Sequence, residues 1–181
     1  GNVQVIIDEG YDEDLNLMAA NTIANRNRDY GLPCVCEQCL IIHKSDEDRI
    51  FKFFEANGAF IIKDNDNVEK IRKLLFKQDR NTGYILNIDM IGKPAVIIAN
   101  EAGINVPKET KILIVKAEGN AMIDPLCKEK LEPVCSYLTY ETFDEAVNIA
   151  LTNLKVEGIG HTSVIYSTNE NNINKAGEIL P

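Results

Sequence analysis

Short apolar runs alternate with amphipathic stretches along nearly the whole sequence, and this alternation limits the possible folds more than any other feature. The run at 3–7 is typical of a strand, and Leu15, Met18, Ala19 and Ile23 recur behind it at helical spacing. The same pair of patterns returns several times. Alternating strands and helices predict a layered α/β domain.

The later elements follow from the same two periodicities. Thr142 and Glu145 form a capping box before an apolar helical face at 143–154, and Ser45 and Asp48 predict a second capping box before an earlier helix. We expect further strands at 40–43, 60–62, 112–115 and 164–166, and further helices around 68–75, 96–102 and the final residues before Pro181.

Composition excludes several classes of protein. The 181 residues, 45% of them hydrophobic, predict one soluble domain over 1–181. No apolar run is long enough for a bilayer, and a net charge of −9 disfavours nucleic acid and acidic membranes as partners. Five cysteines, an odd number, favour free thiols and a cytoplasmic location, with Cys127 and Cys135 in the core.

Three cysteines share one short loop. Gly31 and Pro33 interrupt the helical pattern before Cys34, and the apolar run at 40–42 then reads as a strand that leaves the loop. A thiol is thereby presented at the edge of a regular element, where scaffolds commonly hold a nucleophile.

A metal site is the competing interpretation of this loop. Cys34, Cys36, Cys39 and His43 supply four soft ligands, but they lack the second separated pair of a structural zinc site, and a strand would carry His43 away from the loop. We therefore predict no metal site. Cys36 is read as a bystander or as a resolving thiol.

Several motifs together resemble the CoA-acylating aldehyde dehydrogenases, the family of acetaldehyde/alcohol dehydrogenases and of the ethanolamine- and propanediol-utilisation aldehyde dehydrogenases. They occur in the family order along nearly the whole chain. The motifs are GNV at 1–3, PCVCEQ at 33–38, IGKPA at 91–95, AGINVP at 102–107, EKLEPV at 129–134 and GIGHT at 158–162.

The resemblance implies a three-layer α/β/α sandwich with a mostly parallel sheet, of the aldehyde dehydrogenase catalytic-domain type. It implies that most of the separate NAD-binding domain lies outside this chain, and that the parent enzyme is a homo-oligomer. The implied reaction interconverts a short aliphatic aldehyde and its acyl-CoA, with NAD and coenzyme A as cofactor and co-substrate.

The resemblance also assigns three site residues. Cys34 is the implied nucleophile, whose thiolate attacks the aldehyde carbonyl to give a thiohemiacetal. The carbonyl carbon then loses hydride to NAD, which leaves a thioester on Cys34, and the CoA thiol accepts the acyl group. His161 is implied to assist acyl transfer, and Glu129 to accept a hydrogen bond from the nicotinamide ribose. Without the resemblance, Cys34 reads equally well as a small buried residue, His161 as a structural histidine and Glu129 as a solvated carboxylate.

Two departures from the family pattern bear on activity. Pro33 stands where an aliphatic residue is usual, and Tyr30 precedes Gly31 where asparagine is frequent. A non-catalytic thiol or metal-binding module on the same fold is therefore the alternative function. A thioesterase-like acyl transfer is a third and weaker one.

Overall fold

The structure, a computed structural model, describes residues 1–80 and 83–180. This part of the chain contains the strands β1 (Val3–Ile7), β2 (Glu37–His43), β3 (Ala59–Ile62), β4 (Phe76–Asp79), β5 (Gly83–Leu86), β6 (Ile112–Lys116), β7 (Val134–Tyr140) and β8 (Ser163–Tyr166). The helices are α1 (Leu15–Asn27), α2 (Glu47–Ala56), α3 (Asn65–Leu75), α4 (Ala95–Glu101), α5 (Phe143–Val156) and α6 (Glu170–Ile179).

Six of the strands form one sheet in the order β3-β6-β7-β2-β1-β8, and every neighbouring pair is parallel. In the middle of the sheet Ile6 lies opposite Ile41, and Ile41 lies opposite Leu138. The strands β4 and β5 form a separate antiparallel hairpin. The predicted mostly parallel sheet is confirmed.

Helices cover both faces of the sheet, as the alternating strand side chains require. Val5 and Ile7 of β1 pack with α1 and α2, whereas Ile6 packs on the other face with α3, α4 and α5. Each face of the sheet therefore has its own hydrophobic core, and the central strands contribute buried side chains to both cores. The three-layer α/β/α arrangement is therefore confirmed.

Some local predictions were wrong or missing. The sequence VCSYLTY of β7 mixes polar and apolar residues and was not predicted as a strand, although β7 is central in the sheet. Ser45 does not cap α2, since its hydroxyl hydrogen-bonds His43 Nδ1 instead and Asp46 occupies the cap position. The capping bond at α5 is confirmed, because the Glu145 backbone N–H donates to Thr142 Oγ1 at 3.3 Å.

The parallel arrangement brings four distant segments to one edge of the sheet. The strands β8, β1, β2 and β7 are neighbours that begin at the same edge, so the segments before them meet there. These segments are 157–162, 1–2, 28–36 and 128–133. Within the described ranges, no helix is long and apolar enough to span a bilayer.

Candidate active site

The cysteine loop turns sharply between α1 and β2. Asp29, Tyr30 and Gly31 follow one another with φ of 45°, 53° and 85°, so three successive residues adopt the left-handed region. Only Gly31 does so without steric penalty, since the left-handed region crowds a Cβ atom. The turn ends the helical course of the chain and directs Cys34 outward, where its side chain is exposed.

Gly31 fixes the position of this loop against the segment before β7. A Cβ atom on Gly31 would lie 2.3 Å from both the carbonyl carbon and the carbonyl oxygen of Glu132. No side chain fits in that space. The close approach therefore requires glycine and holds the cysteine loop on the 128–133 segment.

Gly1 marks the point where Cys34 and His161 come together. An ideal Cβ atom built on Gly1 would lie 2.5 Å from His161 Nε2 and 2.6 Å from the Cys34 carbonyl oxygen. The loop that carries His161 is held there by Gly158, whose own Cβ would lie 2.8 Å from the backbone nitrogen of Asn2. The imidazole of His161 and the backbone of Cys34 thus both lie next to Gly1, at the edge of the sheet.

The hydrogen bonding of His161 determines which ring nitrogen carries the proton. The Thr162 backbone N–H donates to His161 Nδ1 at 2.8 Å, so Nδ1 acts as the acceptor. In the neutral ring the proton must then reside on Nε2. His161 therefore presents an N–H donor toward Gly1 and the cysteine loop.

Glu129 reaches the same point from the segment before β7. Its carboxylate contacts the nitrogen of Gly1, and its side chain is 24% exposed. Its backbone N–H donates to Glu157 Oε2 at 2.6 Å, which ties the segment to the loop of His161. The structure thus brings Cys34, His161 and Glu129 together around Gly1, and their catalytic roles stay predictions.

A buried network supports the segment that carries Glu129. Arg26 of α1 is fully buried and donates to the carbonyl oxygens of Lys130 and Val134. Gln38 of β2 exchanges two hydrogen bonds of 3.0 Å with the backbone of Lys130. The Lys130 ammonium is itself buried and donates to two carbonyl oxygens, and burial lowers its pKa. These bonds link the segment to both α1 and β2.

Glu132 is a buried carboxyl group without a hydrogen-bond partner among the described residues. Neither of its oxygens is bonded, and one guanidinium nitrogen of Arg26 is also unpaired. Burial raises the pKa of Glu132 to about 7, although the charges of Arg26 and Lys130 oppose that rise. A group that titrates near neutrality thus lies directly behind the cysteine loop.

The remaining cysteines are sequestered. Cys36, Cys39, Cys127 and Cys135 are all buried, and the Cys36 thiol donates to the Asn25 carbonyl oxygen at 2.9 Å. Burial raises the pKa of Cys36 and raises that of Cys135 to about 12. A raised pKa and burial both suppress thiolate chemistry. The core position predicted for Cys127 and Cys135 is confirmed.

The four potential metal ligands of the cysteine loop do not converge. Cys34 precedes β2, whereas His43 ends it, so the length of a seven-residue strand separates them. His43 instead hydrogen-bonds Ser45 and contacts the ring of Tyr140 edge-on. In the described part of the chain, no group of three or more His, Cys, Asp or Glu side chains is placed to hold a metal ion.

Sequence reasoning missed the supporting residues Arg26 and Glu132. Arg26 lies three positions after Ile23 on the apolar face of α1, so its helical spacing was the available signal. For Glu132 the sequence contains no signal of burial, because the residue precedes a strand that was not predicted. Both became apparent only from the packing around the cysteine loop.

Comparison with known proteins identifies relatives over the full chain. No protein-family model matches. A curated relative from Clostridium kluyveri, named succinate-semialdehyde dehydrogenase (acetylating), is 45% identical over 181 residues, which is 100% of this chain and 38% of the relative. The chain therefore spans little more than a third of that relative's length.

Solved structures agree with this similarity. An acetylating aldehyde dehydrogenase from Geobacillus thermoglucosidasius superposes with a TM-score of 0.87 at 27% identity, covering 100% of this chain and 38% of its own. A propionaldehyde dehydrogenase from Rhodopseudomonas palustris, solved with bound CoA and an acylated cysteine, superposes with a TM-score of 0.81 at 25% identity, covering 98% of this chain and 38% of its own.

Proposed function

We propose that this chain, which is homologous over its whole length to part of the CoA-acylating aldehyde dehydrogenases, is the nucleophile-bearing part of such an enzyme. The parent enzyme interconverts a short-chain aldehyde and its acyl-CoA through a thioester on Cys34. One observation carries the proposal: Cys34 is the exposed thiol among five cysteines, and its loop borders the imidazole of His161.

The side chains have complementary roles in this reaction. The Cys34 thiolate attacks the carbonyl carbon, and the Cys34 backbone N–H and the Nε2–H of His161 are donors available to the oxyanion that develops. In the tautomer that the Thr162 hydrogen bond requires, His161 acts as a hydrogen-bond donor and not as a base. Its Nε2–H can stabilise the negative charge that develops on the oxyanion without giving up its proton.

Glu129 is the residue that fits a nicotinamide cofactor. Its carboxylate is partly exposed beside the cysteine loop, and carboxylate oxygens accept hydrogen bonds from ribose hydroxyls well. When bound, NAD accepts the hydride and CoA supplies the acyl-accepting thiol. The preference for NAD, the homo-oligomeric state, the missing NAD-binding domain and the cytoplasmic location stay predictions.

The substrate class follows from the relative with 45% identity. That protein's name specifies a four-carbon aldehyde that carries a carboxylate. We extend this class to the parent enzyme of the present chain. The metal-binding form of the alternative lacks a supporting observation, because no three potential ligands converge within the described residues.

The test is mass spectrometry of the full-length enzyme after brief exposure to a short acyl-CoA, with Cys34→Ser as the control. We expect one acyl group per chain, on Cys34, and none in the variant. Absence of an adduct in the wild type, or acylation of another cysteine, would refute the proposal.

A further inference from the structure

A small cavity opens beside the nucleophile. Its volume is about 150 Å³, and it lies between the end of α1 and the cysteine loop. Two of its lining residues flank Cys34 directly in sequence, so the cavity adjoins the backbone that carries the nucleophile. The lining residues are Asn25, Arg28, Pro33, Val35 and Cys36.

Arg28 supplies the only formal charge of the cavity lining. Its side chain is exposed, and within residues 1–80 and 83–180 it has neither an ion pair nor a hydrogen bond. The arginines at positions 26, 49 and 72 differ, because each of them donates hydrogen bonds to the protein. Arg28 therefore offers an unused guanidinium at the mouth of the cavity.

Cys34 and Arg28 act on a common neighbour. Burial raises the pKa of the Cys36 thiol, and among the smaller influences Cys34 raises that pKa while Arg28 lowers it. Both side chains thus influence the same thiol, which also lines the cavity. For a short ligand held covalently at Cys34, Arg28 is the charged side chain of the adjoining cavity.

The shape and polarity of the cavity suit a short chain with an acidic end. Val35 is 63% exposed and offers apolar surface to methylene groups. A cavity of about 150 Å³ holds a ligand of roughly six carbon atoms. The planar fork of a guanidinium matches both oxygens of a carboxylate.

Arg28 also has a structural explanation, which the test must separate from binding. It directly follows the last turn of α1, where a cation interacts favourably with the helix dipole. That effect is independent of the ligand. It would change the stability of the protein without changing the choice between two substrates.

We propose that Arg28 selects acyl chains that end in a carboxylate, by pairing with that carboxylate in the cavity while Cys34 holds the carbonyl carbon. This inference rests on the proposed function and adds the specificity-determining residue to it. The step is a transthioesterification without net oxidation. The Cys34 sulfur bonds to the acyl carbon as the bond to the CoA sulfur breaks, and the CoA thiolate takes up the proton that Cys34 released.

Two acyl-CoA probes of equal carbon number isolate the role of the carboxylate. Succinyl-CoA and butyryl-CoA share the CoA group and the four-carbon chain, and only the first has a terminal carboxylate. The rate of Cys34 acylation is measured with each probe on the full-length enzyme, in the wild type and in the Arg28→Gln and Arg28→Lys variants. Lys52→Gln removes an exposed positive charge on α2 and serves as the matched control.

The expected result is a change in the ratio of the two rates. Loss of a charge-assisted pair lowers the succinyl-CoA rate about 10- to 100-fold in Arg28→Gln and less in Arg28→Lys, with the butyryl-CoA rate changed less than about 3-fold. Lys52→Gln leaves both rates unchanged. Because each ratio is taken on one preparation, partial unfolding of a variant cancels.

Each other outcome overturns the inference. An equal loss with both probes would assign Arg28 to the CoA phosphates or to the loop structure, and an unchanged ratio would remove it from recognition. Acylation of the wild type by butyryl-CoA alone would refute the inference and leave the proposed function standing. Failure of both probes to acylate Cys34 would refute the proposed function itself.

Discussion

Arg72 and Asp124 form a bidentate ion pair that connects α3 to the segment leading into the candidate active site. Arg72 Nε donates to Asp124 Oδ1 at 3.0 Å, and Arg72 Nη2 donates to Oδ2 at 2.9 Å. The Asp124 side chain is only 3% exposed and also accepts the backbone N–H groups of Glu118 and Leu126. One carboxylate therefore holds both a helix and the turn before Glu129.

Removal of Asp124 is predicted to destabilise the protein strongly. Asp124→Ala leaves the guanidinium of Arg72 paired with Glu69 alone within the described residues, and it removes the acceptor of two backbone N–H groups. We expect this to cost about 3 kcal/mol of unfolding free energy. Urea denaturation measures this change. The double variant Arg72→Met/Asp124→Leu is expected to recover part of the loss, and a double variant less stable than Asp124→Ala would contradict this account.

Glu132 predicts a pH-dependent contribution to stability. Its pKa is about 7 in the folded protein and 4.5 for the free side chain, so the folded state retains a proton that the unfolded state loses. Stability therefore falls as the pH rises from about 4.5 to 7 and changes no further above that range. Glu132→Gln removes this dependence. As the pH rises from about 5 to about 8, we expect the unfolding free energy of the variant to increase by about 2 kcal/mol relative to that of the wild type. Parallel stability curves for the two proteins would disprove this.

Substitution of Gly31 is predicted to lower the unfolding free energy by more than the left-handed backbone conformation alone explains. Gly31→Ala places a Cβ against the Glu132 carbonyl and is expected to destabilise by about 3 kcal/mol, from left-handed strain and overlap together. Gly10 is the matched control, because it also has a positive φ, of 69°, but no atom lies within 4 Å of the position that its Cβ would occupy. Gly10→Ala is expected to cost about 1 kcal/mol. Equal losses in thermal unfolding would contradict the close approach.

Tyr30 predicts a stabilising substitution. The residue is exposed and has a φ of 53°, a conformation that asparagine tolerates better than tyrosine. Tyr30→Asn is expected to raise the unfolding temperature by about 2 °C. Tyr30→Phe retains the strain and should show no increase, and a rise in both variants would point to the hydroxyl group instead.

The burial of four cysteines predicts selective alkylation. Brief treatment of the native protein with iodoacetamide at about pH 8 is expected to label Cys34 alone, since reaction needs an accessible thiolate. Peptide mass spectrometry locates the label. In Cys34→Ser the native protein should incorporate almost none, and the other four cysteines should react only after unfolding. Rapid labelling of Cys36 would contradict the burial of its thiol.

Periodicity predicted most of the fold but not its centre. The strand β1 and the helices α1, α3 and α5 follow from runs and spacings that their own burial imposes on the sequence. The strand β7 escaped prediction because its buried Ser136 and Tyr137 interrupt the apolar run. Ser136 is accommodated by a hydrogen bond to the Gln38 carbonyl, a partner nearly a hundred residues away. Such long-range pairing has no local signature.

In the candidate site, too, features set by neighbours in sequence were predicted, whereas features set by neighbours in space were not. Cys34 was found from its loop, since the turn residues around it are local signals. The convergence of Cys34, His161 and Glu129 came from a family resemblance, and the geometry around Gly1 is what the fold adds. The unpaired state of Arg28 and the burial of Glu132 depend on what surrounds them in space. Neither is encoded by neighbours in the chain.

The meeting of four distant segments at one edge of the sheet has a consequence for biosynthesis. When a ribosome has released the chain only as far as residue 140, Cys34 is already present but His161 is not. The edge is complete only after β8 pairs with β1, a contact between segments about 160 residues apart. Long-range pairing of this kind forms late. While the residues between Cys34 and His161 are being added, the nascent chain therefore carries its thiol without the neighbouring imidazole.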